Sequence, residues 1–267
     1  MHLTSLDRTQ LYVRLPEPLP AETNGLFAEV IERRAAGEPV AYITGEREFM
    51  GLDFYVDRRV LIPRPETEGL VERALSWIEG QDRPLRIIDV GTGSGAITLS
   101  IDRLSRAAVH RLIIASDVSQ EALAVARLNR ERLGACRVQF VRGSLLDWAR
   151  APFDLIVANL PYLRDDQRHA GIAREPDSAL FAASYGFALY AELLRQSPAL
   201  LMPGGLMLCE IDPDQRDAAL AQAHDAHPSA IIRVEPDLAG LDRYLIIEGQ
   251  TADLTQQKTP PSELSGV

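Results

Sequence analysis

From residue 85 onward the chain repeats one unit: a short apolar run of strand length, a turn, and a stretch with helical apolar spacing. Residues 85–90 (Leu-Arg-Ile-Ile-Asp-Val), 112–115, 138–141 and 153–158 read as buried strands, and 96–104 and 119–133 read as the helices between them. The alternation continues with a helix over 186–201, a strand over 206–211, a helix over 214–227 and a closing pair at 231–234 and 244–247. Strands alternating with helices predict a parallel sheet covered on both faces, and crossovers of one hand make that a doubly wound α/β fold. Ligands then belong at the carboxyl ends of the strands, so the turns that follow them hold the candidate chemistry.

The segment before this unit is of a different kind. Pro16, Pro18 and Pro20 break the chain, and residues 21–36 have good helix formers with Leu26, Phe27, Val30 and Ile31 at helical spacing, ended by Gly37. Between 46 and 62 the apolar positions Phe49, Leu52, Phe54, Val56, Val60 and Ile62 surround Gly51 and Asp57-Arg58-Arg59, which predicts two short strands in a hairpin. Pro65-Glu66-Thr67-Glu68 opens a helix running to about Glu79, with proline where its missing N–H costs nothing and acids at the positive end of the dipole. After Gly249 the chain turns rich in Gln, Thr, Pro and Ser, and residues 250–267 are expected to be a disordered tail.

Composition excludes several classes. The 267 residues are 46% hydrophobic, yet no uninterrupted apolar stretch reaches membrane-spanning length, and the N-terminus meets Asp7 before a signal-peptide core develops. A cytoplasmic protein with no membrane partner is expected. With 38 acidic against 28 basic residues the net charge is −10, so direct nucleic-acid binding is not expected. The basic stretch Arg127-Leu128-Asn129-Arg130-Glu131-Arg132 reads as the solvated face of a helix. Cys136 and Cys209 read as buried small hydrophobes, and His224 and His227, without partners at ligand spacing, as solvated; no metal is expected.

Two turns carry the functional signal. Asp89-Val90-Gly91-Thr92-Gly93-Ser94-Gly95 joins the first strand of the repeat to its helix; its glycines permit a sharp turn and close approach of a ligand, and the helix start offers free N–H groups. Asp117, just after the second strand, stands where a carboxylate can accept from ribose hydroxyls; capping the following helix is the lesser alternative. These features fit a nucleoside-containing cofactor, either a dinucleotide or S-adenosylmethionine. The run G-x-G-x-G, with Ala96 at the next site, departs from the dinucleotide spacing. It holds neither the Lys-Ser/Thr pair of a phosphate loop nor the glycines of a nucleophile elbow around Ser94.

The second turn, Asn159-Leu160-Pro161-Tyr162, follows the strand 153–158. The Asn159 side chain offers one carbonyl acceptor and the Leu160 backbone another, which Pro161 helps to aim by restricting residue 160. Two acceptors can clamp both hydrogens of an NH2 group and turn the delocalised nitrogen pair toward an electrophilic methyl, while Tyr162 flanks the planar group. A plain strand end followed by a tight turn would give the same four residues.

These blocks together resemble the peptide chain release factor glutamine N5-methyltransferases (HemK/PrmC family). The resemblance runs from about residue 6 to 249. It rests on Gly37-Glu38-Pro39-Val40-Ala41-Tyr42-Ile43-Thr44-Gly45, Glu48-Phe49, Leu61-Ile62-Pro63-Arg64-Pro65-Glu66-Thr67-Glu68, the glycine turn, Asn159 to Tyr162, Arg174-Glu175-Pro176 and Asp237 to Arg243. The block at 61–68 is the specific part and looks like the release-factor branch rather than the enzymes for a ribosomal-protein glutamine.

The resemblance implies a class I (Rossmann-like) methyltransferase sheet. It further implies methyl transfer from S-adenosylmethionine to the glutamine of the Gly-Gly-Gln motif in release factors. Gly91, Thr92, Gly93, Ser94 and Gly95 would line the methionine end, Asp117 would hold the ribose, Leu145 would lie near the adenine, and Asn159, Leu160, Pro161 and Tyr162 would hold the glutamine. Arg64 and Glu66 would either anchor the helix start against the hairpin or touch substrate. The implied organisation is a short helical docking segment at 1–44, the hairpin linker at 45–64, the methyltransferase domain at 65–249 and the tail; a monomer is the default. The family usually carries a longer helical N-terminal domain, of which this chain shows the last part. It usually has Asn-Pro-Pro-Tyr, so Leu160 loses ring rigidity and adds an N–H, and a Leu160→Pro variant is expected to turn over faster. Relatives often carry an acid where Ser144 stands, which changes the expected adenine contact.

Overall fold

The computed structural model describes residues 3–250 except 5, 15, 19, 106–110 and 185. The expected disordered tail thus lies, apart from Gln250, outside the described residues. Three short N-terminal helices, α1 (Arg8–Val13), α2 (Ala21–Ala35) and α3 (Val40–Thr44), lead into the antiparallel hairpin β1 (Glu46–Phe49) and β2 (Leu52–Tyr55). Met50 and Gly51 both have positive φ, 54° and 72°, the signature of a two-residue turn whose twist matches its strands. The strain at Met50 is held by two carboxylates: the Met50 N–H donates to Glu68 Oε1 at 2.7 Å and the Gly51 N–H to Glu48 Oε1 at 2.6 Å. α2 forms where its spacing predicts, but none of its residues is buried, and Leu26, Phe27 and Ile31 stay exposed.

The body is a seven-stranded sheet built from β3 (Leu85–Val90), β4 (Arg111–Asp117), β5 (Val138–Arg142), β6 (Phe153–Ala158), β7 (Leu201–Glu210), β8 (Ile231–Pro236) and β9 (Asp242–Glu248). Its order is β5-β4-β3-β6-β7-β9-β8. The sheet is mixed rather than parallel throughout: β9 runs antiparallel to both β7 and β8. The short turn 237–241 joins these last two strands directly, and a parallel pair could not be connected by so few residues.

α4 (Glu68–Glu79), α5 (Ala96–Leu104) and α6 (Gln120–Leu133) follow the expected helical spacing, as do α8 (Ala188–Gln196) and α9 (Arg216–Ala226); the one-turn α7 (Asp177–Leu180) lies between β6 and α8. The helix expected over 186–201 stops at Gln196, because Pro198 turns the chain, and the next strand begins at Leu201, five residues early, with a bulge before Leu206. β3 is buried on both faces. Ile87 packs with Leu70, Leu99 and Leu155 on one side; Ile88 and Val90 pack with Tyr190, Leu193 and Ile156 on the other. Alternate side chains thus seed two cores, as a central strand requires.

The chain starts in the middle of the sheet, winds outward through β4 to β5, then crosses back to β6 and β7. This places the topological switch between β3 and β6, where the two loops diverge and a crevice opens. Val90 pairs with Ser116 on one side and Ala158 on the other, so Gly91, Asp117 and Asn159 leave the sheet as immediate neighbours.

Candidate active site

Two cavities meet at that crevice. The inner one is lined by Gly91 to Ser94, Asp117, Ser144, Leu145 and Asn159. The outer one is lined by Glu66, Tyr162, His169, Ile172 and Arg243. Asn159, Leu160, Pro161, Leu61, Arg64 and Ala179 line both. Of the sequence-predicted residues, Gly91 to Ser94, Asp117 and Leu145 line the inner cavity, Tyr162 the outer one, and Asn159, Leu160 and Pro161 the wall between them; Gly95 lines neither and packs toward Leu99.

Gly91, Gly93 and Gly95 all have positive φ, 76°, 56° and 84°. A Cβ on Gly91 would come within 2.8 Å of Leu160 Cδ2, so the first glycine is what lets the two loops touch, whereas a Cβ on Gly93 would meet nothing within 4 Å. The loop's N–H groups are largely consumed internally, contrary to the expectation of free donors. Gly91 N and Thr92 N both donate to Ser116 O at 2.9 Å, Gly95 N to Thr92 O at 2.8 Å, and Gly93 N to Asp117 Oδ2 at 2.9 Å. A pyrophosphate needs those donors; a cofactor with no phosphate does not. The turn therefore fits S-adenosylmethionine better than a dinucleotide.

Asp117 also accepts from Ser119 N through Oδ1 at 2.8 Å, while the cap of α6 is Ser119 itself. The backbone N–H groups leave part of the carboxylate's accepting capacity for ribose hydroxyls. Burial pushes its pKa up, with the backbone N–H groups of Ser119, Gly93 and Val118 opposing. Behind the loop, Asp89 is fully buried; its Oδ2 accepts from Thr92 Oγ1 at 2.7 Å and its Oδ1 has no partner. Burial raises its pKa to about 7, and the negative charge of Asp117 adds to that rise. Leu145 lies in the inner cavity with φ 45°, a strained conformation for a leucine, and its carbonyl accepts from Trp148 Nε1 at 3.2 Å. Ser144 lines the same cavity.

On the acceptor side, Asn159 Nδ2 donates to Thr67 Oγ1 at 2.9 Å, which fixes the amide and leaves its oxygen as the free group. Thr67 is buried at the start of α4, inside the block at 61–68. Tyr162 OH donates to Glu210 Oε1 at 3.1 Å. Glu210 ends β7 fully buried; burial pushes its carboxyl up, opposed by hydrogen bonds from Thr67 and Tyr162 and the charge of Arg243. The N–H that Leu160 adds is not idle: it donates to Tyr190 OH at 2.9 Å. Sequence reasoning missed Thr67, Tyr190 and Glu210. For Glu210 a signal existed, an acid closing an apolar strand at the same edge as Asn159.

Arg64 serves an anchor and faces both cavities: Nη2 pairs with Glu175 Oε1 at 2.5 Å, and Glu175 Oε2 accepts from Ile62 N at 3.1 Å. Glu66 faces the outer cavity, and its carbonyl accepts from Tyr244 OH at 2.6 Å; the acid that ties the helix start to the hairpin is Glu68.

The remaining candidates fall elsewhere. The stretch 127–132 is only partly a solvated face. Arg127 and Arg130 lie over the Phe140 ring, Arg132 pairs with Glu46 at 2.9 Å, and Asn129 is fully buried. Asn129 Nδ2 donates to Tyr55 O and Ser94 O, each at 2.9 Å, and its Oδ1 accepts from Tyr55 N at 2.7 Å, joining the hairpin to the glycine turn. Cys209 is buried as expected. Cys136 is exposed, because neighbouring Ala135 takes the inward position after α6. His224 is exposed, but His227 is half-buried with Nε2 2.6 Å from Ser197 Oγ, and burial lowers its pKa.

Comparison with known proteins gives the chain its family. Residues 1–45 match the PrmC N-terminal domain family and residues 81–249 a methyltransferase domain family. A release factor glutamine methyltransferase of Deinococcus radiodurans is 38% identical over 248 residues, spanning 91% of this chain and 86% of the relative. One from Moorella thermoacetica is 42% identical over 250 residues, with the same two shares. The chain belongs to the release factor glutamine methyltransferase family.

Among solved structures, a methyltransferase from Pyrococcus furiosus superposes with TM-score 0.55 at 18% identity, over 85% of this chain and 99% of that one. A ribosomal protein L11 methylase from Lactobacillus delbrueckii gives 0.52 at 20%, over 73% and 84%. Both show the Rossmann-like class I fold that the family shares. No helix among the described residues is long and apolar enough to cross a membrane.

Proposed function

We propose that this chain transfers a methyl group from S-adenosylmethionine to the side-chain amide nitrogen, N5, of the glutamine in the Gly-Gly-Gln motif of peptide chain release factors, acting in the cytoplasm as a monomer. The observation that carries this reading is the wall of Asn159, Leu160 and Pro161 shared by the inner and outer cavities, which puts the residues that carry both acceptors between a methyl-donor pocket and an amide pocket. Residues 65–249 would form the methyltransferase domain, 45–64 its hairpin linker and 1–44 a docking segment.

The bound cofactor supplies an electrophilic methyl group carried on a sulfonium. Gly91 to Ser94 and Leu145 would enclose it, and Asp117 would accept from its ribose. Asn159 Oδ1 and the Leu160 carbonyl would accept the two amide hydrogens, holding the nitrogen's electron density toward the methyl carbon and stabilising the positive charge that grows on nitrogen. Tyr162, whose hydroxyl is occupied by Glu210, would flank the amide plane with its ring.

Charge supports a protein rather than a nucleic-acid acceptor, since the net charge is −10. The Arg64 to Glu68 block supports a release factor over a ribosomal protein. Calorimetry should show binding of S-adenosylmethionine and none of NADH. A labelled-methyl assay offering release factor, ribosomal protein and RNA should mark the release factor alone. Label on RNA, or on a release factor whose Gly-Gly-Gln glutamine has been replaced, would overturn the proposal.

A further inference from the structure

The lateral ladder between β6 and β7 ends at the pair Ala158 and Cys209. Beyond it no further rung pairs the two strands, and Leu160, the second residue past the ladder on the β6 side, lines the outer cavity. Leu160 N–H and Glu210 C=O, one on each departing strand, would be left without ladder partners in a buried place, a costly arrangement. A single side chain satisfies both. Tyr190, fully buried on α8, accepts from Leu160 N at 2.9 Å and donates its hydroxyl proton to Glu210 O. A phenol has one proton; with it committed to the Glu210 carbonyl, the oxygen can only accept from Leu160, so the direction of both bonds is fixed.

We propose that Tyr190 is a positioning residue for methyl transfer, its hydroxyl replacing the missing rung between β6 and β7 and thereby setting the plane of the peptide that carries both acceptors. The Leu160 N–H belongs to the peptide joining residues 159 and 160. The Asn159 side chain hangs from one end of that plane; from the other, across a Cα whose rotation Pro161 restricts, hangs the Leu160 carbonyl. Thr67 holds Asn159 at its side chain, and Tyr190 holds the backbone between the two acceptors. Leucine at 160 is what makes this tether available, since proline there has no N–H to donate. The inference rests on the reading that Asn159 and Leu160 grip the glutamine amide.

Tyr190→Phe removes only the hydroxyl and keeps the ring that stacks on Phe187 at a centroid distance of 6.1 Å. It should lower kcat for release-factor methylation about tenfold, the effect of releasing the one of its two hydrogen bonds that holds the Leu160 N–H, and leave the affinity for S-adenosylmethionine within about twofold. In a Leu160→Pro background, where no N–H exists to be held, the same substitution should change kcat by less than about twofold. Equal losses in both backgrounds, or an unchanged kcat in the single variant, overturn the proposal.

Amide hydrogen exchange of the unaltered protein tests it without any variant. The Leu160 amide should exchange as slowly as the ladder amides of residues 155–158, and exchange at a free-loop rate would refute the tether. If no release factor is methylated by the unaltered protein, the functional reading fails on that result alone, while a fast Leu160 amide would refute the tether whatever the substrate.

Discussion

Replacing Thr67 by valine tests whether the polarity of Asn159 matters. The two side chains have the same shape, so packing is kept while the acceptor of the 2.9 Å bond from Asn159 Nδ2 disappears. That bond is worth a net ~1 kcal/mol, about the advantage that keeps the amide oxygen turned toward the substrate. Once it is gone, the flipped amide, which presents N–H instead of C=O to the substrate, becomes comparably populated. In the flipped form the oxygen no longer faces a nitrogen that is gaining positive charge, and a hydrogen bond to a charged group is worth about 1.5–3 kcal/mol. The flipped form is thus roughly 10- to 150-fold slower, and with the two forms comparably populated kcat should fall about twofold, to the fraction left in the productive orientation. A labelled-methyl assay under saturating cofactor reads kcat, calorimetry reads cofactor affinity, and Thr67→Ser, which restores the oxygen, should recover most of the rate. Wild-type kcat in Thr67→Val would show that the amide is oriented by something other than Thr67.

Three further perturbations have defined outcomes. Gly91→Ala places a Cβ 2.8 Å from Leu160 Cδ2 at a φ of 76°; the backbone alone costs about 1–2 kcal/mol, and calorimetry should find cofactor affinity weakened at least tenfold. Asn129→Ala removes three buried hydrogen bonds and should lower the unfolding free energy by about 3–5 kcal/mol in a urea titration; a loss below ~1 kcal/mol would mean the hairpin is held by other contacts. Asp89 keeps a proton in the folded state up to about pH 7 that the unfolded chain releases near pH 4. Its contribution to stability therefore falls as pH rises between those values and flattens above. The difference in denaturant midpoint between the unaltered protein and Asp89→Asn should follow that slope, and a pH-independent difference would refute the assignment.

The parts legible in the sequence were those that local pattern determines. Strand runs such as 85–90 and 153–158 are mostly apolar because the centre of the sheet is buried on both faces, and the glycine and Asn-Leu-Pro-Tyr turns sit where those runs end. The antiparallel β9 was not legible, since an apolar run carries no mark of its direction. Neither was the end of the helix at Gln196, where Leu200 and Leu201 continue an apolar pattern after the backbone has turned at Pro198. Within the site, Asp117 and Asn159 stand beside strand ends and could be read from spacing. Thr67, Tyr190 and Glu210 act through contacts between residues 20 to 143 positions apart, which only the folded chain brings together. Asn129 was hidden by its arginine neighbours: it is the one inward-facing residue in a stretch otherwise rich in charge.

The three bonds of Asn129 have an engineering consequence. A fragment begun at residue 65 to obtain a minimal enzyme would discard the strand that accepts and donates two of them. The stranded amide would then lie under the turn that receives the methyl donor, held there only by Ser94. The hairpin is thus a buttress of the donor pocket, and a shortened enzyme should retain it even if every residue of known chemistry lies downstream.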